Sequence, residues 1–354
     1  MTSECVAELA RGCGFDIAGV ARAVPAPEAE WFLAWAASGM AGEMTYLTDH
    51  RAEIRRDPRR LLPSARSVIS VGKLYNGPEP YSTEFDDASR AWISRYAWGE
   101  DYHDALRRGL ERLAGRLEEE AGDFEWKACV DTAPFLDAAY ARQAGLGWIA
   151  KNTCLIHEGR GSWFVLGALL VSLELEPDAP PPERCGSCTR CIEACPTQAI
   201  VPDANAPLGY SVDARRCISC LTIELRGPIP EALRPLMGRH VFGCDICQDV
   251  CPWNRGAPAS RDPAFAPRWF APPLERLAAL TEEEFRSLFR GTPVTRAKYA
   301  GFLRNVAVAM GNSGRSEFRP ALEKLIESTE PLIAEHARWA RERLASSNPG
   351  GHSS

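Results

Sequence analysis

The stretch that decides the architecture of this chain begins Cys185-Gly-Ser-Cys188-Thr-Arg-Cys191-Ile-Glu-Ala-Cys195-Pro196. Two further segments complete it, Cys217-Ile-Ser-Cys220 and Cys244-Asp-Ile-Cys247-Gln-Asp-Val-Cys251-Pro252. Thiolates are soft, anionic ligands, and a C-x2-C-x2-C-x3-C-P run gives three of them to one iron–sulfur cube and the fourth to a neighbouring cube. The stretch therefore predicts a ferredoxin-like domain that carries two [4Fe–4S] clusters.

Spacing also predicts how the thiolates divide between the two clusters, because the cysteine before each proline belongs to the neighbouring cube. One cluster would be held by Cys185, Cys188, Cys191 and Cys251. The other would be held by Cys195, Cys244, Cys247 and either Cys217 or Cys220. Two zinc sites are the alternative, but zinc needs neither the third cysteine nor the trailing Cys-Pro that both ends carry.

Composition places the chain among ordinary globular proteins. Its 354 residues are 45% hydrophobic and 25% charged, and the formal net charge is −6. A chain of this length accommodates two or three domains. Clustered cysteines without a secretory leader indicate metal binding in a reducing compartment, and the apolar runs are too short for a membrane helix. We therefore expect a cytoplasmic protein without membrane association and, since no P-loop occurs, without ATP-driven reduction.

Three parts follow one another along the chain. Residues 1–176 alternate helical and strand patterns, with an apolar strand predicted over Ser67–Tyr75. A Pro-rich linker leads into the cluster domain, which we expect to span 177–260. Residues 261–354 carry HEAT-like helical patterns and end in a frayed tail over 346–354. The predicted helices of this last part cover 281–290, 296–311, 318–328 and 331–346.

Local patterns predict several elements in the first part. Leucines at helical spacing predict a helix over Tyr102–Glu120, and Asp131-Thr-Ala-Pro134 is expected to open a helix that runs to about Gly145. Thr153–His157 is expected to pair antiparallel with Trp163–Leu173. The segment Gly145–Ala150 matches the dinucleotide pattern G-x-G-x-x-A but follows a helix, so we interpret its glycines as a close backbone approach.

Positive charge is uneven along this acidic chain. Arginine and lysine concentrate in residues 51–73 and again in residues 286–324. Local basic patches on an acidic body are typical of a protein that docks a polyanion at one face. Solvated surface charge is the commoner explanation of either run taken alone.

Several motifs together resemble the epoxyqueuosine reductases, a family of cobalamin- and iron–sulfur-dependent enzymes of queuosine-tRNA modification. The resemblance covers roughly residues 10 to 345 and implies an α+β fold. A nitroreductase-like α/β cobalamin-binding domain would precede the ferredoxin-like domain and the C-terminal helical segment. The motifs are Trp98-Gly-Glu-Asp-Tyr102-His103, Val130-Asp131-Thr132, Gly145-Leu-Gly-Trp-Ile-Ala-Lys151-Asn152, the cysteine segments, and Cys251-Pro-Trp-Asn254.

The resemblance implies reduction of epoxyqueuosine to queuosine in a tRNA anticodon stem-loop. Electrons from an external low-potential donor would pass through both clusters to a cobalamin that opens the epoxide. Asp131 would donate the proton, which requires desolvation to raise its pKa; on local grounds alone, a carboxylate at a helix start explains Asp131 equally well. No D-x-H-x-x-G pattern occurs, so the cobalamin is expected base-off without a protein histidine. A monomer is expected.

The resemblance also nominates individual residues. It implies Cys217 as the cluster ligand and leaves Cys220 as a spare buried thiol. Ser94 departs from relatives that carry cysteine in the same loop. The implied cobalamin contacts are Arg55, Ser94, Asp131, Lys151, Asn152, Leu155, Leu166, Ser219 and Asp245.

Two other functions are compatible with the cysteine pattern. A corrinoid reductive dehalogenase of small organohalides is the alternative enzyme, although the basic C-terminal helices favour a polyanionic substrate. A ferredoxin-type electron carrier is the other alternative, although some 180 residues precede the clusters. The cysteines outside the cluster stretch, Cys5, Cys13, Cys129 and Cys154, are interpreted as small core thiols.

Overall fold

A computed structural model of the chain describes residues 1–346, so the predicted tail over 346–354 lies, beyond Ser346, outside the described residues. The described part contains ten strands and thirteen α-helices. The strands are β1 (Ile17–Arg22), β2 (Ser67–Leu74), β3 (Trp92–Ile93), β4 (Trp126–Cys129), β5 (Trp148–Ile149), β6 (Leu155–Ile156), β7 (Phe164–Val171), β8 (Ile200–Pro202), β9 (Tyr210–Val212) and β10 (His240–Phe242). The helices are α1 (Ser3–Gly12), α2 (Glu28–Ala37), α3 (His50–Ile54), α4 (Tyr102–Ala121), α5 (Asp137–Gln143), α6 (Arg190–Glu193), α7 (Ile218–Ile223), α8 (Ile246–Asp249), α9 (Leu274–Ala278), α10 (Glu282–Leu288), α11 (Lys298–Asn312), α12 (Arg319–Ile326) and α13 (Pro331–Ser346).

An antiparallel sheet of order β1-β2-β7-β4 organises the first part of the chain. Every residue of β2 is buried, as its unbroken apolar pattern predicts for a strand covered on both faces. Ile69 and Val71 pack beneath α1 and α4, whereas Val68 packs on the opposite face toward α5. Successive side chains of a strand point to opposite faces, so one strand supplies both cores of an α/β/α sandwich.

The predicted pairing of Thr153–His157 with Trp163–Leu173 is wrong. Strand β6 pairs with β5, and β7 pairs instead with β2 and β4. The reason is that β7 is apolar on both faces and gains two ladder partners in the centre of the sheet. A Cβ on Gly147 would lie 2.1 Å from the Ile156 carbonyl oxygen, which confirms that this glycine serves a close backbone approach.

The cluster domain is joined to its neighbours by paired backbone and by a shared core. Strand β10 pairs in parallel with β3 from the first part of the chain. Trp92 and Trp98 are buried in the same core as Phe289 and Phe302 of the C-terminal helices. The boundaries 1–176, 177–260 and 261–354 therefore remain a prediction, because this packing crosses them.

The C-terminal helices α10 to α13 follow the predicted helical patterns closely. Helix α11 is buried along most of its length and packs against α13, where a Cβ on Gly311 would lie 2.7 Å from the Ala340 Cα atom. Arg304 is fully buried and donates to the carbonyl oxygens of Leu221 (2.7 Å) and Gly227 (2.6 Å). Arg304 thus fastens α11 to the cluster domain, so it is not one of the surface charges expected of the run over 286–324.

No helix in residues 1–346 is both long enough and apolar enough to span a membrane.

Candidate functional site

The central cavity of the molecule lies where all three parts of the chain meet. It has a volume of about 520 Å³. The first part contributes the start of α4 and the Asp131 loop, the cluster domain contributes the end of α7, and the C-terminal part contributes the turn before α11. The lining residues are Tyr46, Tyr96, Asp101, Tyr102, His103, Arg107, Asp131, Thr132, Ile223, Glu224, Pro293, Thr295, Arg296 and Lys298.

Asp131 occupies a strained position in this cavity. It follows β4 with φ of 29°, a backbone region that residues other than glycine rarely adopt. Helix α5 begins only at Asp137, so Asp131 does not cap it and the expected helix start at Asp131 is wrong. Tyr102 donates from its hydroxyl to Asp131 Oδ2 at 2.7 Å, which directs the carboxylate into the cavity.

His103 lies between two carboxylates. Its Nδ1 is 2.7 Å from Asp101 Oδ1, and its Nε2 is 3.3 Å from Asp131 Oδ2. Asp101 also caps α4 by accepting from the His103 backbone N–H, so the helix start fixes the ring. Burial lowers the pKa of His103, but the hydrogen bonds and charges of Asp101 and Asp131 raise it to about 9. The ring is therefore an imidazolium at neutral pH.

The pKa of Asp131 departs from the sequence-based expectation. Burial raises it, but hydrogen bonds from His103 and Tyr102 and the charges of His103 and Arg296 outweigh burial and leave the pKa below its usual value. The Asp131 side chain is also 48% exposed to the cavity, which limits desolvation. The expected elevation is wrong for this structure, because the charges that face Asp131 are cationic. The available proton is on His103.

Arg296 extends this array on its far side. Its Nη1 is 3.9 Å from Asp131 Oδ2, and its Nε is 2.7 Å from Glu224 Oε1. Arg296 Nη2 also donates to the Tyr46 hydroxyl at 3.2 Å. Neither Arg296 nor Glu224 was predicted as a site residue, since Arg296 had only its place in a basic run as a signal. His103 had a stronger signal, the motif that ends in Tyr102-His103.

A second cavity, of about 350 Å³, shares Tyr46 and Asp131 with the first. Arg55 lines it, is buried, and donates from Nη1 to the Tyr46 carbonyl oxygen at 2.9 Å. Asp137 also lines it, and burial followed by the charge of Asp131 raises the pKa of Asp137 to about 8. Its other walls are mainly apolar, including Phe135 and Ile149.

A third cavity, of about 280 Å³, contains the thiols predicted for one cluster. It shares Tyr96 with the first cavity and Thr153 with the second. The predicted residues that line it are Ser94, Asn152, Ser219, Cys195, Cys217, Cys244 and Cys247. Cys154, which was interpreted as a small core thiol, lines it as well. The Sγ atom of Cys220 instead contacts Met44 Sδ at 3.6 Å.

The other predicted thiol set consists of Cys185, Cys188, Cys191 and Cys251. Its first two cysteines lie in the loop that follows the linker. Burial, and then the nearby thiols of the cluster stretch, raise the pKa of Cys191 to about 12. The neighbours responsible are Cys247, Cys251, Cys185 and Cys188. Crowded thiols that oppose one another's ionisation fit a site completed by cationic iron, which stabilises thiolates.

Four of the predicted corrinoid contacts do not line these three cavities. Lys151 donates from Nζ to the carbonyl oxygens of Gly186 (2.8 Å) and Cys188 (3.0 Å), in the loop that follows the linker. Leu155 and Leu166 pack in the core between the sheet and α5.

Asp245 is the fourth, and its buried carboxylate has a structural role. It accepts from Trp92 Nε1 (2.9 Å), Ser94 Oγ (2.5 Å) and the Arg95 backbone N–H (2.9 Å). These hydrogen bonds hold the loop that carries Ser94 against the cluster domain.

Comparison with known proteins identifies the family of the chain. The family model described as "Epoxyqueuosine reductase QueG, DUF1730" matches residues 55–132, and the model of a 4Fe-4S double cluster binding domain matches residues 184–254. An epoxyqueuosine reductase of Xanthomonas campestris is 42% identical over 338 residues, covering 94% of this chain and 93% of that relative. The chain belongs to the epoxyqueuosine reductase family.

Other members of the family agree in sequence and in fold. The epoxyqueuosine reductase of Escherichia coli is 41% identical over 311 residues, covering 87% of this chain and 80% of that protein. The crystal structure of an epoxyqueuosine reductase with an epoxyqueuosine-modified tRNA-Tyr stem loop superposes with a TM-score of 0.86 at 30% identity. That match covers 96% of this chain and 89% of the other.

Family membership confirms the predicted α+β fold and makes the chain an oxidoreductase. A further relative, from Bacillus subtilis, superposes with a TM-score of 0.84 at 29% identity over 96% of this chain and 90% of its own, and is described with its catalytic aspartate loop swung out of the active site. Because the chain belongs to this family, the dehalogenase and electron-carrier alternatives are set aside.

Proposed function

We propose that this chain reduces epoxyqueuosine to queuosine in the anticodon stem-loop of a tRNA. The observation that carries the proposal is the array Asp101–His103–Asp131–Arg296 in a cavity that adjoins the predicted cluster thiols. Converting an epoxide to an alkene releases the oxygen as water and consumes two electrons and two protons. The array supports the supply of protons, and the thiols support the supply of electrons.

We propose the cluster ligands that the cysteine spacing and the family resemblance imply, and the thiols that share a cavity support one of the two sets. Cys195, Cys217, Cys244 and Cys247 would hold the cluster nearer the cavity, and Cys185, Cys188, Cys191 and Cys251 would hold the other. The position of Cys217 in the thiol-lined cavity, with Cys220 directed at Met44, supports Cys217 as the ligand. Electrons would enter from an external low-potential donor.

The adjoining cavities fit a corrinoid, as expected from the family. The walls of the second and third cavities are largely apolar, and Asp137 at the wall of the second has an unpaired buried oxygen, Oδ1, which suits a flat apolar ring with amides at its edge. The side chains that would hold the ring are those of Arg55, Ser94, Asn152 and Ser219. Lys151, Leu155, Leu166 and Asp245 would support these walls from behind. When bound, a reduced corrinoid supplies the nucleophilic and reducing centre that opens an epoxide.

A base-off cofactor without a protein histidine ligand remains our expectation; among the described residues, no histidine lines the second or the third cavity. The histidine that lines the first cavity, His103, is engaged by Asp101 and Asp131.

The proton would move through the chain's own residues. His103 holds a proton at neutral pH because two carboxylates face it. Asp131 lies 3.3 Å from His103 Nε2 and projects into the cavity. We infer that His103 is the source of the proton, and that Asp131 accepts it from His103 Nε2 as it passes a proton to the alkoxide left by epoxide opening. This arrangement removes the need for a raised Asp131 pKa, since a developing alkoxide is a far stronger base than a carboxylate.

The tRNA would be held by cationic side chains at the rim of the central cavity. Arg107 and Lys298 line that cavity, and no ion pair is described for either. Lys298 adopts φ of 59° at the start of α11, a strained conformation of the kind that functional sites retain. A single tRNA would be recognised through phosphate contacts and stacking of unpaired bases. A monomer that acts in the cytoplasm remains our expectation.

Anaerobic reconstitution tests this function directly. The protein is supplied with iron, sulfide and cobalamin, reduced, and incubated with epoxyqueuosine-containing tRNA. Nucleosides are then measured by mass spectrometry, and we expect queuosine to accumulate as epoxyqueuosine disappears. Iron uptake without cobalamin binding, or dehalogenation of a chlorophenol with the tRNA left unchanged, would contradict the proposal.

A further inference from the structure

Asp137 is a partly buried acid that the proposed chemistry leaves unused. It occupies the first turn of α5 and lines the second cavity with Arg55 and Asp131. Its Oδ1 atom is inaccessible to solvent and has no hydrogen-bond partner among the described residues. A buried polar atom without a partner costs free energy, so a ligand that hydrogen-bonds to Asp137 at this cavity wall would reduce that cost.

The charges around Asp137 determine which form of the carboxyl group the cavity favours. Asp131 faces it from the loop after β4, and Arg55 faces it from the end of α3. The Arg55 guanidinium is engaged by the Tyr46 carbonyl and lies over the Phe32 ring. The other titratable groups around it are Glu28, Tyr46 and Cys129. Burial and the Asp131 charge outweigh Arg55, so the neutral acid is the favoured form.

A neutral carboxylic acid has a recognition chemistry that a carboxylate lacks. It donates one hydrogen bond through its O–H and accepts another through its carbonyl oxygen. A primary carboxamide offers the complementary acceptor and donor side by side. We propose that Asp137 binds a carboxamide at the edge of the corrinoid, as a neutral acid that donates and accepts one hydrogen bond each. This assignment rests on the proposed function, because the corrinoid belongs to that proposal.

Arg55 would complete the same subsite. A guanidinium only donates, so Arg55 can bind a carboxamide oxygen but cannot pair with its N–H group. Asp137 supplies the acceptor that Arg55 lacks. The apolar walls formed by Phe135, Leu136 and Ile149 exclude water and strengthen both hydrogen bonds.

Three variants test the assignment by cobalamin affinity. Asp137→Asn keeps one donor and one acceptor, whereas Asp137→Leu and Asp137→Ala remove both. Each cluster-loaded protein is titrated with cobalamin, and the dissociation constant is measured from the absorbance change. We expect the dissociation constant of Asp137→Asn to stay within about threefold of that of the parent. Those of Asp137→Leu and Asp137→Ala should rise by about tenfold or more. Asp123→Ala, at an exposed position in the turn before β4, is the matched control.

The pH dependence provides a second readout. Binding to the parent protein should weaken as pH rises through about 8, because the ionised carboxylate loses its O–H donor. Asp137→Asn should remove that dependence. Iron content and melting temperature, measured on the same samples, show whether a variant is folded and loaded.

Two outcomes would overturn the assignment. One is an unchanged cobalamin dissociation constant in Asp137→Leu, and the other is a loss in Asp137→Asn as large as that in Asp137→Leu. Failure of the proposed function is distinguishable, since the parent protein would then bind cobalamin but leave epoxyqueuosine in tRNA unreduced.

Discussion

Individual residues in the adjoining cavities differ in charge state because of what faces them. Asp131 and Asp137 are six positions apart in the same segment, yet cationic neighbours lower the pKa of the first, while burial and a neighbouring carboxylate raise that of the second. Pairs of acids with opposite shifts are typical of sites that divide acid and base roles. Residue type alone therefore does not assign these roles.

The role of His103 is tested by removing its charge. We expect His103→Gln to slow single-turnover formation of queuosine by about a hundredfold, because Asp131 would lose its proton source. In the parent protein the rate should fall as pH rises through about 9, where the imidazolium loses its proton. His50→Gln is the control, since the His50 side chain is 80% exposed. An unchanged rate and pH profile in His103→Gln would contradict the relay.

The surplus cysteine is tested by iron content. We expect Cys217→Ser to lose the iron of about one cluster, because a thiolate ligand at the wall of the third cavity would be missing. Cys220→Ser should keep both clusters, since the Cys220 sulfur is directed at the Met44 sulfur and does not line the thiol-lined cavity. The measurements are iron per protein and the EPR spectrum of the reduced sample. The opposite pattern would reassign the ligand to Cys220.

At the scale of elements, α11 does more than complete a helical repeat. It carries Arg304 and Asn305, and Asn305 Nδ2 donates to the Thr222 and Val241 carbonyl oxygens at 2.9 Å. These two side chains satisfy backbone oxygens of α7 and β10, elements next to the cluster ligands. The turn that precedes α11 carries Arg296 into the cavity. The helix therefore positions both a structural contact and a site residue.

Removing the Arg304 contact should loosen α11 from the cluster domain. We expect Arg304→Met to lower the free energy of unfolding by about 3 kcal/mol, because several buried carbonyl oxygens lose their donor. The measurement is urea denaturation, with the melting temperature as a second readout. Arg290→Met is the control, because Arg290 is exposed. Equal effects of the two substitutions would show that burial of Arg304 has little energetic consequence.

At the scale of the whole molecule, the three parts surround one set of adjoining cavities. The first part supplies Asp131 and Arg55, the cluster domain supplies thiols and Glu224, and the C-terminal part supplies Arg296 and Lys298. A cavity closed by all three parts exists only in the assembled fold.

Binding of tRNA should depend on the cations at the rim of that assembly. We expect Lys298→Gln and Arg107→Gln each to weaken tRNA binding and to reduce the slope of log affinity against log salt by about 1. Fluorescence anisotropy of a labelled anticodon stem-loop across a salt series measures both quantities. Lys127→Gln on β4, an exposed position away from the cavity, should change neither. An unaltered salt slope in both rim variants would place the phosphates elsewhere.

Local pattern was sufficient for the features that depend on neighbours in sequence. Helix α4 follows from the spacing of its leucines, and β2 follows from its unbroken apolar run. The cysteine spacing predicted a double-cluster domain, and the family model for such a domain matches the same stretch. Periodicity and metal-ligand spacing are encoded over a few residues, so they can be recognised without a fold.

Tertiary contacts alone decided the chemistry of the central cavity. Asp131 and Arg296 are 165 positions apart, so no spacing rule joins them, and the charge state of His103 depends on two carboxylates meeting one ring. The raised pKa predicted for Asp131 was wrong for this reason. The unpaired Oδ1 of Asp137 likewise exists only because packing of α5 beside the Asp131 loop excludes water. Electrostatic fields and burial are properties of three-dimensional neighbours, which the order of residues along the chain does not specify.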